Sequence, residues 1–295
     1  MSRSRASIRQ NLCAALAVCA TVAVAQSASA ADWLDDTALR GSLGYARWDG
    51  FYFGGQAGYT YGSVAFGTGT SSQIKYILAN SELEAPVSSW TTLPDSGSNT
   101  TSYGGFVGYN LQWGEVTTGV ELNYNHMGFK TQAQDSVGPL IVPGADQADG
   151  SKVQYAVSVA SVASISISDL ATARATAGWA VDRALPYGFV GLAVGQADIS
   201  RFASVTGTKT VTPLDPITGQ PDPTNAVTGV ILLPRNPQSE SKTVIAYGYT
   251  AGLGINVAIT PNMFVRAEWE YIQFPNISDF RVAVNSARVG LGLRF

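Results

Sequence analysis

Six charged residues recur within segments that are otherwise apolar or small. They are Glu121, Arg174, Arg266, Glu268, Glu270 and Arg288. Ionised groups that are cut off from bulk water need partners of opposite charge and hydrogen bonds. If these side chains meet, they form either a closed layer that holds the fold together or the lining of a narrow, gated polar pore. We prefer the closed layer and keep the pore as the alternative.

His126 is the only histidine of the chain and the only side chain considered for catalysis. A general base needs a carboxylate or hydroxyl held against it. Asp135 and Asp146 follow in the sequence, but no spacing ties them to His126, so an ordinary surface histidine is preferred and an enzyme is a remote alternative. One histidine cannot build a Cys/His metal centre, and we expect no metal and no cofactor.

The first thirty residues predict a cleaved signal peptide over 1–30. Arginines at positions 3, 5 and 9 precede an apolar run over 12–25, and Ala28-Ser29-Ala30 forms a small-residue cleavage site. The only cysteines, Cys13 and Cys19, lie inside this segment. An exported chain that retains no cysteine cannot be a domain stapled by disulfides. Residues 31–47 then predict a polar, periplasmic N-terminal lead.

The charge balance of the exported chain is mildly acidic. Without the three signal arginines, 15 of the 18 basic residues face 21 acidic ones, which gives a net charge of −6. This balance argues against a nucleic-acid partner. Only 13% of the residues are charged, and 31 are glycine, as in a protein whose surface largely contacts something other than water. No apolar run approaches the ~18 residues of a spanning helix, so any membrane crossing uses strands.

The six charged residues lie in segments in which apolar residues alternate with polar or small ones. The last segment is a clear example. Ala287, Val289, Leu291, Leu293 and Phe295 share one face, and Ser286, Arg288, Gly290, Gly292 and Arg294 share the other. Eight such segments are predicted, over 48–61, 103–113, 116–126, 153–181, 187–200, 245–259, 265–271 and 284–295. Their long connections are predicted at about 67–101, 130–152, 201–241 and 274–282, the first with a short helix within 73–84.

Long connections alternate with short ones, and the strand number is even. Outer-membrane barrels combine short periplasmic turns with long external loops in this way, whereas soluble sandwiches do not. The sequence therefore predicts an all-β fold, an eight-stranded antiparallel up-and-down transmembrane barrel over 48–295.

The fourth segment exceeds the ~9–11 residues that a spanning strand needs. From Val153 to Trp179 its odd positions are apolar or small apart from Asp169. The serine-rich half either continues the strand beyond the bilayer or folds back as a hairpin. The unbroken alternation favours one long strand.

Aromatic residues on the outward face sort into two groups when the N-terminus is taken as periplasmic. Phe51, Phe53, Trp113, Trp179 and Phe295 fall at the periplasmic rim. Tyr59, Tyr61, Tyr103, Tyr124, Tyr247, Tyr249, Trp269 and Tyr271 fall at the external rim. Two aromatic girdles around an aliphatic band are typical of a bilayer interface, which makes outer-membrane lipid the expected surroundings.

The same alternation directs the charged residues into the lumen. Glu121, Arg174, Arg266, Glu268 and Arg288 lie at one height, with one positive charge in excess that Glu270, just above, balances. Because an eight-stranded barrel is just wide enough for side chains to fill, these residues are predicted to meet.

Several segments resemble a known family. Trp48-Asp49-Gly50-Phe51-Tyr52, Gly105-Phe106-Val107-Gly108-Tyr109-Asn110 and the closing Arg288–Phe295 are similar to strands of the porin-like surface antigens and opacity-type barrels of Gram-negative, especially alphaproteobacterial, envelopes. The resemblance spans about 48–66, 103–129, 170–200 and 243–295. It implies a small outer-membrane barrel whose terminal Phe295 belongs to the signal read by the barrel-assembly machinery.

The predicted function is that of a monomeric, non-enzymatic outer-membrane protein with a structural role in the envelope. Its long external loops are the expected seat of adhesion or antigen-like recognition, towards an external ligand or host surface. A narrow porin-like passive channel for small solutes is the alternative.

Overall fold

Eight antiparallel strands close into a ring in the computed structural model, which describes residues 46–231, 233 and 235–295. The elements are β1 (Gly50–Ala65), α1 (Ser71–Ile77), α2 (Glu84–Val87), β2 (Ser96–Trp113), β3 (Val116–Pro143), β4 (Lys152–Trp179), β5 (Ala184–Thr212), a 3₁₀ turn (Pro223–Asn225), β6 (Val227–Val230), β7 (Gln238–Thr260), β8 (Met263–Ile277) and β9 (Phe280–Arg294). The predicted signal peptide over 1–30 and the lead up to residue 45 lie outside the described residues.

The ring runs β1-β2-β3-β4-β5-β7-β8-β9, and β9 closes it by pairing with β1. Each strand pairs antiparallel with its neighbours, which confirms the predicted eight-stranded up-and-down barrel. Three tight connections, at 114–115, 180–183 and 261–262, lie at the same end as the start of β1 and the end of β9. We call this the terminal end and the opposite one the extended end.

The half of the barrel nearest the terminal end is apolar outside and polar inside. Val120, Leu192, Leu253 and Val289 are exposed on its outer face, whereas its interior holds polar and charged side chains together with a small aromatic cluster. We call this outer surface the apolar band. No helix in the described part of the chain is long and apolar enough to cross a membrane.

Three strands continue far beyond the apolar band. β3, β4 and β5 contain 28, 28 and 29 residues, and they pair with each other over most of that length. The prediction of a loop over 130–152 is therefore wrong, because β3 reaches Pro143 and β4 begins at Lys152. The serine-rich half of β4 continues the strand and does not fold back as a hairpin.

In the half of the barrel nearest the extended end, which we call the extended half, the inner face is apolar and the outer face is polar. Its interior holds a buried apolar cluster, while serine, threonine and glutamine side chains face outwards. In β4, Ile167 and Leu170 both point inwards, because a register shift between Ile167 and Asp169 inserts an extra residue. We call this irregularity the β4 bulge. The alternation that looked unbroken in the sequence is in fact broken here, so odd positions face inwards up to Ile167 and outwards beyond Asp169.

The remaining predicted loops are shorter than expected. β2 begins at Ser96 within the predicted 67–101 loop. The helix predicted over 73–84 is only partly present, because 73–77 belong to α1, 78–83 form turns and α2 begins at Glu84. β5 ends at Thr212 and β7 begins at Gln238, so the 201–241 loop shrinks to the segment that contains β6. The 274–282 loop is a tight turn at Ser278 and Asp279, both with positive φ. All three errors have one cause, because the strand residues beyond the apolar band alternate only weakly between apolar and polar side chains.

Candidate functional site

The six charged residues form one layer inside the apolar band. Neighbouring strands position them in opposed pairs: Glu121 lies across from Arg174, and Glu268 lies across from Arg288. All six side chains are at most 2% exposed. The structure thus brings every predicted member together, and Glu270, two residues beyond Glu268 on β8, also contacts Arg174 and Arg288.

Arg174 is the hub of this charge layer. Its Nη1 and Nη2 donate to the two carboxylate oxygens of Glu268 at 2.7 and 3.0 Å, a bidentate arrangement. Nη2 also donates to Glu121, and Nη1 lies 3.3 Å from Glu270. The guanidinium stacks over the ring of Phe189 at 4.0 Å. One arginine therefore joins all three glutamates.

Arg266 and Arg288 complete the charge balance. Arg266 Nη2 lies 2.7 Å from Glu121 Oε2, and its Nε donates to Asn256 at 3.0 Å. Arg288 Nη2 lies 2.6 Å from Glu268 Oε1 and also contacts Glu270. Three arginines and three glutamates leave the layer without net charge. Desolvation of each ion is thereby offset by at least one partner.

Hydroxyl and amide groups occupy the remaining carboxylate lone pairs. Tyr52 donates to Glu121 and Tyr187 donates to Glu268, each at 2.8 Å, while Thr250 donates to Glu270 at 2.7 Å. Asn123 donates to Glu121 at 2.6 Å. The sequence reasoning missed these partners. The alternation of each strand predicts that these side chains face the lumen, but it does not predict which carboxylate each one contacts.

Glycines create the room that the charge layer occupies. Gly58 lies opposite Arg288, and a Cβ added there would approach Arg288 Cγ to 2.5 Å. Gly108 lies opposite Glu121, and its Cβ would approach the Tyr52 ring to 2.4 Å. The glycine on one strand thus accepts the long side chain of the next.

Apolar plugs lie on both sides of the charge layer. Towards the terminal end, Trp48, Tyr52, Phe106 and Phe264 pack in edge-to-face and tilted contacts with ring centres 5.8–6.2 Å apart. Towards the extended end lies the large apolar cluster, which includes Phe129 and Phe274. A cavity of about 10 Å³ remains beside Arg266, which is room for about one water molecule. Side chains of the charge layer and of the two apolar plugs thus fill this part of the lumen.

Outside the barrel, the predicted girdle residues are mostly exposed. Phe51, Phe53, Trp113, Trp179 and Phe295 surround the terminal end, with the Phe53 and Phe295 rings stacked at 5.8 Å. Tyr59, Tyr61, Tyr247, Tyr249 and Trp269 are exposed on the other side of the apolar band, whereas Tyr124 and Tyr271 are half-buried. Both sets therefore flank the band.

His126 lies on the outer face next to the β4 bulge, and its carboxylate partner is Asp169. The distance from Nδ1 to Oδ1 is 3.0 Å. Tyr124 and Ser168 donate to the same carboxylate at 2.6 and 2.8 Å, so these hydroxyls do not form a Ser–His–Asp relay. Asp135 instead accepts from the Thr92 N–H, and Asp146 pairs with Lys152. Among the described residues, no group of three or more His, Cys, Asp or Glu is arranged to hold a metal ion.

Comparison with solved structures finds small barrels of low sequence identity. Ail, the attachment invasion locus protein of Yersinia pestis, solved with the heparin analogue sucrose octasulfate, is 14% identical, with a TM-score of 0.31; 83% of this chain and 99% of that one are covered. Neisserial surface protein A is 13% identical, with a TM-score of 0.33 and coverage of 83% and 97%. The N-terminal β-barrel domain of Pseudomonas aeruginosa OprF is 12% identical, with a TM-score of 0.34 and coverage of 84% and 98%.

These scores are too low to carry a functional argument. Comparison with curated proteins finds no significant match. A family description, the outer membrane protein beta-barrel domain, matches residues 14–295. The protein belongs to the outer membrane protein beta-barrel domain family, which supports a location in the outer membrane.

Proposed function

We propose that the protein is a closed, non-enzymatic anchor that displays an extended β-sheet on the cell surface. The N-terminus and the terminal end face the periplasm, and the extended end faces outwards. The barrel works as a monomer surrounded by outer-membrane lipid. The extended end then serves adhesion or antigen-like recognition, while the barrel contributes to envelope integrity.

The observation that carries this proposal is the combination of a lumen filled with side chains and the long β3–β5 extension. A charge layer between two apolar plugs leaves no continuous polar path, so the barrel is suited to anchoring rather than transport. The extension has a polar outer face, as a structure in water requires. The exposed, stacked position of Phe295 at the end of β9 supports its proposed role in recognition by the barrel-assembly machinery.

The orientation can be tested with single-cysteine variants, since the chain has no cysteine beyond Cys19. Ile217→Cys at the extended end should react with a membrane-impermeant maleimide on intact cells. Glu115→Cys in the turn between β2 and β3 should react only after the outer membrane is permeabilised. The reverse pattern would overturn the proposed orientation and, with it, the surface role.

Conductance separates the anchor from a narrow passive channel. The purified protein in planar bilayers should show no steady single-channel current, because side chains fill the lumen. Steady current that Glu268→Gln only retunes would assign a channel function instead. The enzyme alternative would require a hydrolytic activity that His126→Ala abolishes, and we expect none.

A further inference from the structure

Strand β6 lies at the edge of the sheet in the extended half, next to β5. It pairs with β5 through Val227 to Val230, and it is the last strand in the sheet order. The N–H of Ile231 donates to the carbonyl of Gly207, which continues the same ladder. Alternate residues of an antiparallel strand bond to the partner, so the backbones of Thr228 and Val230 point away from β5. Within the described residues, no other strand pairs with them.

Apart from its short length of four residues, this edge lacks the usual features that prevent pairing with another chain. Exposed edge strands normally carry a lysine, a proline or a bulge. Residues 226–231 contain no charged residue and no proline, and the β5–β6 register has no shift. Val227 and Val230 are 70% and 79% exposed. The edge therefore presents unpaired backbone groups together with exposed apolar side chains.

A cavity of about 310 Å³ lies beside this edge. Leu83, Ile231 and Leu233 give it apolar walls, and Tyr155 and Glu82 line it as well. Glu82 accepts hydrogen bonds from the Tyr155 hydroxyl and from the N–H of Ala145, so its carboxylate is already occupied. The free surface of the cavity therefore suits an apolar side chain rather than a cation.

Gly229 keeps the approach to the cavity open. It lies across from Lys209, which also lines the cavity, and a Cβ added to Gly229 would meet no atom within 4 Å. Strand addition combines backbone hydrogen bonds, which supply affinity, with pockets for alternate side chains, which supply specificity. The edge and the cavity provide both parts at one place.

We propose that β6 accepts an extended segment of a partner polypeptide as an additional antiparallel strand, with one apolar side chain of that segment in the cavity. An unpaired row of N–H and C=O groups is complementary to another backbone, which favours a polypeptide over a glycan. This inference rests on the proposed surface role. It specifies that the partner recognised at the extended end is a polypeptide.

Binding of a synthetic strand tests the inference. The probe is the fluorescein-labelled peptide Thr-Val-Thr-Leu-Thr-Val-Thr, blocked at both ends, and the receptor is the exported protein in lipid nanodiscs. Fluorescence anisotropy should show saturable binding at sub-millimolar concentration. The same peptide with proline in place of leucine should bind at least tenfold more weakly, because proline removes a donor and fixes φ.

Two variants of the protein separate edge from cavity. Thr228→Pro removes an outward-facing N–H at a residue that does not line the cavity, and Gly229→Val fills the approach to the cavity. Each should weaken binding at least tenfold. Ile217→Ser is the matched control, since it removes an apolar side chain that is 92% exposed at the extended end but outside the cavity lining, and it should leave binding unchanged.

The contrary results are distinct. Absence of saturable binding, or binding that neither variant weakens, would overturn the inference. Dimerisation of the peptide-free protein that both variants abolish, measured by sedimentation, would assign the edge to a second copy and also overturn it. Circular dichroism and heat-modifiable gel mobility report whether the variants fold, and Gly229→Val keeps the test decisive if Thr228→Pro does not. Nanodisc binding does not depend on orientation in cells, so it can fail independently of the maleimide test.

Discussion

Arg266 and Glu121 connect opposite walls of the barrel. Arg266 lies on β8 and Glu121 on β3, four strands apart in the ring of eight, yet Nη2 and Oε2 are 2.7 Å apart. The Arg266 guanidinium also stacks on Phe106 at 3.9 Å. A direct contact across the full diameter means that the charge layer holds the barrel from within.

The first prediction concerns the removal of one carboxylate from this layer. Glu268→Ala leaves Arg174, Arg266 and Arg288 facing each other without their shared partner, so the free energy of unfolding should fall by about 3–5 kcal/mol. Denaturant unfolding in lipid or detergent measures it. Glu115→Ala, in an exposed turn, is the control and should change the free energy by less than ~0.5 kcal/mol.

A double substitution tests whether the charges act as a unit. Glu268→Ala combined with Arg288→Ala removes one charge of each sign, so it should recover part of the lost stability. Sites in direct contact give interaction energies of roughly 0.5–3 kcal/mol. Strictly additive losses would mean that Glu268 and Arg288 do not depend on each other, contrary to their 2.6 Å contact.

The apolar band gives a separate prediction about the outer face. Leu253→Arg places a charge on the exposed face of β7, where it should cost about 2–4 kcal/mol near the bilayer midplane. The same substitution at Ile217, also exposed but at the extended end, should be tolerated. Equal losses at both positions would contradict the assignment of the band to lipid.

The strands of the apolar band could be predicted from the sequence because their two faces differ strongly in chemistry. Lipid requires aliphatic side chains outside, and glycine and charged residues fill the lumen, as in β9. That contrast also located the charge layer. The two faces of the extension differ much less: Ser204 and Thr206 alternate with Ala203 and Val205 in β5, so the pattern resembles that of a loop.

The β4 bulge could not be predicted for a related reason. One inserted residue between Ile167 and Asp169 changes which face the odd positions occupy. The sequence hides this change, because the odd positions are mostly apolar before the insertion and mostly small after it. The tyrosine partners of the charge layer were missed because tyrosine is compatible with either face. The proposed kinship with alphaproteobacterial surface antigens remains a prediction.

The bulge itself can be tested by substitution. Ile165 is fully buried inside the extended half, so Ile165→Ala should lower the free energy of unfolding by about 2–5 kcal/mol. Ser164→Ala, on the outer face of the same strand, should have little effect. If Ile165 faced outwards, as unbroken alternation implies, the two substitutions would be equally mild in an unfolding experiment.

The last prediction concerns pH and the contact between Glu82 and Tyr155, which lies in the extension, outside the apolar band. The Tyr155 hydroxyl and then the Ala145 N–H hold the pKa of Glu82 below its ordinary value of 4.5. Burial, and then the Glu82 carboxylate, raise the pKa of Tyr155 from 10.0 to about 12. The hydrogen bond from the Tyr155 hydroxyl to Glu82 holds the 81–83 segment against β4. Both pKa shifts show that this contact is favourable only while Glu82 is charged and Tyr155 is neutral.

The direction of the pH dependence follows from the two shifts. Because the pKa of Glu82 is lower in the folded state, its contribution is present above about pH 4.5 and is lost as the pH falls through the folded value. Because the pKa of Tyr155 is higher in the folded state, its contribution is present below pH 10.0 and is lost as the pH rises through about 12. Amide exchange at Ala145, corrected for the intrinsic rate, should therefore accelerate at both extremes. Glu82→Gln should abolish the acid limb, whereas Glu84→Gln in α2 should preserve it. An acid limb that persists in Glu82→Gln would show that another group controls this contact.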